Sequence, residues 1–101
     1  MFDIETAPTG EPLRVRLPKG REVLAIVEAK MGGNKMKVRC MDGKTRLGRV
    51  PGRFKKSLWL RIGDAVIVEK WEIQGDERGD IIWKYTNTQK EWLLRNGYLK
   101  M

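Results

Sequence analysis

Residues 35–50 constrain the fold more tightly than any other stretch of the chain. Lys35-Met36-Lys37-Val38-Arg39-Cys40-Met41 alternates charged and apolar side chains. That is the period of a strand with one wet and one buried face. Lys35, Lys37 and Arg39 then project to one side while Met36, Val38 and Cys40 enter a core. Asp42-Gly43 is a strong tight-hairpin signal, and a second strand follows, Lys44-Thr45-Arg46-Leu47-Gly48-Arg49-Val50. Gly48 inside it suggests a bulge or sharp bend of the sort that closes a barrel.

Strands flank this hairpin. Glu22–Lys30 is a long β-branched-rich run that reads as a strand buried on both sides, and Met31-Gly32-Gly33-Asn34 is a turn cluster. After Pro51-Gly52, the basic segment Arg53–Leu60 reads as a short helical turn or an irregular connection. Ile62-Gly63-Asp64 turns into a fourth strand, Ala65–Trp71, and Gln74–Gly79 is a polar loop before a fifth, Asp80–Tyr85. Thr88 and Glu91 have capping-box spacing, opening a helix that Gly97 ends. Met1–Gly20 holds three prolines and no strict periodicity, and reads as an extended or disordered tail.

The expected organisation is therefore a flexible tail over residues 1–20, a barrel over 21–87, and a helix with a short tail over 88–101 packed on it. The class is all-β. A five-stranded oligonucleotide-binding (OB) barrel of S1-like type leads, with a short helix in the connection between its third and fourth strands and a C-terminal helix. An SH3-like barrel is the alternative, since strand pairing order is not written in the pattern.

Charge points to what such a barrel binds. The 101-residue chain carries a net charge of +8, and residues 21–61 hold twelve Lys/Arg against three acids. The first 20 residues balance, and residues 62–101 sum to −1. Charge confined to one segment is the footprint of a polyanion-binding face. Enzyme chemistry is poorly served: there is no histidine and a single cysteine, Cys40. No Ser-His or Cys-His pair and no zinc ligand set can form. Cys40 lies on the apolar side of its strand and reads as a packing residue, consistent with a reducing cytoplasm. No apolar run approaches the roughly 20 residues that span a bilayer, and no signal peptide is visible at the amino terminus.

Two motifs dissolve on inspection. Gly43-Lys44-Thr45 resembles the end of a phosphate loop, but position 38 is Val38 where a glycine is required, and hairpin chemistry explains it. Asp76, Glu77 and Asp80 lack the ligand alternation of a calcium loop. No cofactor is expected. Within the basic segment only Phe54 and Trp59 are aromatic, thin for a single-strand stacking platform. Trp71, Trp83 and Trp92 read as structural. Folded RNA, met through phosphates and 2′-hydroxyls, fits better. A general single-strand RNA chaperone of cold-shock or S1 type is the competing reading.

Gly33-Asn34, Cys40-Met41-Asp42-Gly43, Arg46-Leu47, Arg49, Gly52-Arg53-Phe54-Lys55-Lys56, Trp59, Gly63-Asp64 and Ile82-Trp83-Lys84-Tyr85 occur in that order. Together they resemble the translation initiation factor 1A family in its archaeal form, related to bacterial initiation factor one, over about residues 21–99. The resemblance implies a non-catalytic factor bound at the decoding (A) site of the small ribosomal subunit. There it would block elongator tRNA and promote binding of initiator tRNA, in the cytoplasm and as a monomer. Other initiation factors, the subunit-joining GTPase among them, are implied partners. The implied RNA-binding positions are Asn34, Lys35, Lys37, Arg39, Arg46, Arg49, Arg53, Lys55, Lys56 and Trp59, joined by Arg61 and Lys84. Eukaryotic members carry a basic amino-terminal and a long acidic carboxy-terminal tail that this sequence lacks.

Overall fold

The computed structural model describes residues 2–6, 12–52 and 60–100. Seven strands and one helix follow in order: β1 (Phe2–Thr6), β2 (Pro12–Arg16), β3 (Glu22–Lys30), β4 (Lys35–Cys40), β5 (Thr45–Arg49), β6 (Ala65–Lys70), β7 (Arg78–Lys84) and α1 (Asn87–Arg95). The last five strands close a barrel in the order β3-β4-β5-β7-β6. All its pairings are antiparallel except β5 with β7. This is the five-stranded OB architecture expected from the sequence, with its C-terminal helix. The connection helix expected within residues 53–60 falls almost wholly on 53–59, outside the described residues.

The central strands β3 and β6 are buried on both faces because two separate cores meet them. Ala25 and Val27 of β3, Val66 and Val68 of β6, Val38, Cys40 and Ile81 fill the barrel interior. Leu24 and Ile26 of β3, and Ala65 and Ile67 of β6, point the other way, into a second core with Val15, Tyr85, Trp92, Leu93 and Leu99. Successive residues serving opposite cores explain the unbroken apolar runs of both strands. The register is interrupted at Glu28 of β3, between the Val27 and Ala29 pairs, and at Ile82 of β7, between the Trp83 and Ile81 pairs, whereas the β4–β5 register runs unbroken through Gly48. Gly48 permits close packing instead: a Cβ there would lie 2.9 Å from Cγ1 of Ile81.

The amino-terminal reading needs correction. Residues 1–20, expected as an extended or disordered tail, contain the antiparallel pair β1–β2, and Val15 is fully buried in the second core. Arg16 ties this segment down further. Its guanidinium pairs with Glu22 at 2.9 Å and lies over the Trp83 ring, while its carbonyl accepts a hydrogen bond from the Tyr85 hydroxyl. Burial pushes the Tyr85 phenol well above its ordinary range. Tyr85→Phe leaves that carbonyl without its partner, and urea titration should show a loss of about 1–3 kcal/mol.

The helix start is also displaced. Thr86, not Thr88, is the N-cap: its hydroxyl accepts from the Gln89 amide at 3.2 Å, and the Thr86 amide donates to Gln89 Oε1 at 2.9 Å. Both threonines have an acceptor side chain three residues on. With Thr86 as cap, Trp92 and Leu93 lie buried in the second core.

Candidate nucleic-acid interface

The helix and β2 cover one outer wall of the barrel, over β3 and β6. The wall formed by β4, β5 and the start of β7 carries no such layer among the described residues. Its side chains follow from register, since cross-strand partners share a face. One row is Lys35, Arg49 and Asp80; the next is Lys37, Leu47 and Arg78; Arg39 and Thr45 continue it. Lys35 and Lys37 are exposed, and among the described residues neither has an ion-pair partner.

The other cations of this wall are partly committed. Arg49 makes a two-pronged pair with Asp80 at 3.1 and 3.3 Å and lies over the Trp71 ring. Trp71 Nε1 donates to the same carboxylate at 2.9 Å, so Asp80 fixes both. Arg39 sits 3.6 Å from Glu28 and donates to the Lys100 carbonyl at 3.2 Å, at the margin of the wall beside the carboxy-terminal residues.

Arg46 departs from the expectation altogether. Strand parity places it with Gly48 on the inner face, opposite Val38, and its side chain is 0% exposed. It donates to both Asp42 oxygens at 2.9 and 2.8 Å and to the Gly75 carbonyl at 2.5 Å. Arg46 is thus a strut joining the β4–β5 turn to the loop before β7, and it reaches no external ligand. Its hydrogen bonds hold the Asp42 carboxyl below the ordinary carboxylate range. A lowered folded value means stability that is present above about pH 3.9, the unfolded value, and lost as pH falls through the folded one. Asp42→Asn should therefore be less stable than the parent chain at pH 6. That gap should narrow towards pH 2, as read by urea midpoints.

Asn34 likewise has a structural task. Its Nδ2 donates to the Val50 carbonyl at 3.0 Å and the Val50 amide returns a bond to the Asn34 carbonyl at 2.8 Å. These bonds lock the glycine turn to the end of β5, presenting Lys35. Arg61 and Lys84 lie apart from the wall, around a cleft of about 340 Å³ shared with Asp64, Tyr85, Thr86 and Asn87. There Asp64 accepts from the Arg61 amide at 2.7 Å and pairs with Lys84 at 3.4 Å. Arg53, Lys55, Lys56 and Trp59 lie outside the described residues.

Two contributors to the wall were not singled out from sequence. Trp71 is half-buried at its edge, with Arg49 and Arg78 over its ring. Arg78 comes into place through the parallel pairing of β7 with β5, opposite Leu47.

The chain has relatives among known proteins. The profile of the family described as translation initiation factor 1A / IF-1 matches residues 13–101. The chain belongs to this family. The translation initiation factor 1A of Methanothermobacter thermautotrophicus is 53% identical over 93 residues, spanning 92% of this chain and 94% of that one. Translation initiation factor 1A 1 of Methanosarcina acetivorans is 54% identical over 89 residues, 86% of this chain and 79% of its own. Among solved structures, translation initiation factor one from a Wolbachia endosymbiont of Brugia malayi superposes with a TM-score of 0.53 at 25% identity. That match spans 68% of this chain and 82% of the other. The family resemblance read from the sequence is borne out, and so is the OB barrel. Family membership places the factor in translation initiation, as a binding protein and not an enzyme.

Proposed function

We propose that this factor binds the small ribosomal subunit at its decoding site, with the β4–β5 wall against ribosomal RNA. Bound there, it blocks elongator tRNA and promotes binding of initiator tRNA in the neighbouring site. One observation carries the reading: Lys35 and Lys37 stand unpaired among the described residues on an uncovered barrel wall, while the opposite wall is occupied by α1 and β2. Arg39 and Arg49 are paired with Glu28 and Asp80, whereas Lys35, Lys37 and Arg78 of this wall have no ion-pair partner among the described residues and are left for phosphate. Arg39 and Arg49 flank them, and Arg53, Lys55, Lys56 and Trp59 extend the same basic segment in sequence. Arg61 and Lys84 are secondary candidates beside their own cleft. Arg46 and the Asn34 side-chain nitrogen act on the fold.

The factor acts as a monomer in the cytoplasm, without a cofactor, and other initiation factors, including the subunit-joining GTPase, are its protein partners. No helix among the described residues is long and apolar enough to cross a membrane.

Chemical footprinting of small-subunit RNA with and without the factor tests the site directly, with protections expected in the decoding region. Neutralising about five phosphates should give a log–log salt slope of roughly −4 to −5. Equal affinity for short unstructured oligonucleotides and for subunits would favour the single-strand chaperone reading instead.

A further inference from the structure

The amino-terminal ribbon is anchored to the barrel through β2. Val15 is fully buried in the second core, Arg16 pairs with Glu22, and the Arg16 carbonyl accepts from the Tyr85 hydroxyl. β1 pairs with β2, from Phe2 opposite Arg16 to Thr6 opposite Pro12, and with no other strand among the described residues. Its outer edge is therefore open. Five residues, about 17 Å of main chain, have no ladder partner there.

A two-stranded ribbon is marginal by itself in water, and a third strand adds the stability it lacks. An open edge is a template for such pairing. Charge decides what can pair here. Asp3 and Glu5 stand at alternate positions of β1, which share one face of a strand. Two copies of the chain joined antiparallel about Ile4 would set Asp3 against Glu5 twice, and like charges directly opposite are destabilising. The same carboxylates repel the phosphates of RNA. A strand with Lys or Arg at every second position meets both acids with opposite charge instead.

We infer that the outer edge of β1 receives an extended, basic segment of a protein partner as a third strand. Main-chain hydrogen bonds supply the affinity, and the alternating acids select the partner. β1 is already held extended by its register with β2, so the incoming segment bears most of the ordering cost. β2 lies over β3 and β6, away from the β4–β5 wall, so this inference stands or falls separately from RNA binding.

The probe is a synthetic peptide of about seven residues, alternating lysine and valine, long enough to pair along β1. It is titrated into the full chain by calorimetry, with amide hydrogen exchange in residues 2–6 followed by NMR. At a net charge of +8 the chain as a whole repels this peptide, so its binding requires a local acidic partner. Binding should slow amide exchange within β1. Replacing the peptide's valines with proline keeps its charge, removes alternate main-chain donors and should abolish binding. Asp3→Lys combined with Glu5→Lys should weaken binding about tenfold. Asp3→Asn with Glu5→Gln should weaken it a few-fold, and takes the place of the reversal if thermal melting shows that variant unfolded. No binding of the lysine–valine peptide by the parent chain would overturn the inference, as would parent-like affinity in the folded variants. Equal binding of the proline peptide would overturn it in favour of charge attraction without a third strand. Slowed exchange within β1 on concentrating the chain alone would assign the edge to a second copy. Slowed exchange there with protein-free small-subunit RNA would assign it to RNA, and either result overturns the inference.

Discussion

Asp42→Ala is expected to destabilise the factor by about 3 kcal/mol, the lower end of the range for breaking a buried ion pair. The residue is an exposed turn position, where a substitution ordinarily costs within about ±0.5 kcal/mol. The difference lies in what is left behind. Arg46 is 0% exposed along its side chain and donates two hydrogen bonds to Asp42. Its guanidinium cannot shed its charge, so removing the carboxylate strands a cation inside the barrel. Asp76, at 3.9 Å from Arg46, offers partial relief and is the reason for choosing the lower figure. Tm should fall by roughly 10–20 °C for a domain of this size. Arg46→Met removes the charge while filling much of the same volume, and should cost less. Combining it with Asp42→Ala should restore stability above that of Asp42→Ala alone, because a buried pair replaced by apolar groups is often neutral. Urea titrations of the three variants decide it, and a double variant weaker than either single one would contradict the account.

Arg46 also shows where local pattern is sufficient and where it misleads. The family resemblance marks it as an RNA contact, and the charge count over residues 21–61 includes it, since neither takes account of parity. Strand parity reads it correctly: Gly48 and Val50 are inward on β5 and just beyond it, so Arg46 is inward too, and Thr45, Leu47 and Arg49 are outward. The β4–β5 hairpin was legible because its alternation and its Asp42-Gly43 turn are both local. The amino-terminal strand had a comparable signal in Leu13-Arg14-Val15-Arg16-Leu17, obscured by the surrounding prolines. Its partner core is formed largely by residues far along the chain, Tyr85 and Trp92 among them, which no window of sequence contains.

The helix cap was ambiguous for a different reason. Thr86 and Thr88 each have a partner three residues later, so local spacing does not choose between them. Trp71 and Arg78 were the least accessible. They meet Arg49 and Leu47 through the parallel β5–β7 pairing, a contact between strands with another strand and two loops between them. Composition could find the basic segment, but the aromatic and apolar part of the same wall is a product of topology.

Reversing Lys35 and Lys37 together to glutamate should reduce affinity for the small subunit by at least about a hundredfold at low salt, with the fold intact. The folding side follows from exposure. Both side chains are exposed and without ion-pair partners among the described residues, so their replacement removes no internal bond. Such surface changes usually move stability by no more than about 0.5 kcal/mol. The binding side follows from counterion release. Each lysine that meets a phosphate contributes about one unit of log–log salt slope, so the slope should become shallower by about two. Two carboxylates facing phosphates add repulsion that is strongest where screening is weak, which is why the loss should shrink as salt rises. Arg46→Met is the internal control: it removes one positive charge from the same segment, yet from inside the barrel, and should leave both affinity and slope near those of the parent. Net charge alone predicts that any lost cation weakens binding; geometry predicts that only those on the open wall do. Filter or fluorescence-anisotropy titrations of the two variants over a range of salt separate these accounts. A charge-reversed factor that binds subunits as tightly as its parent would move the contact surface away from β4 and β5.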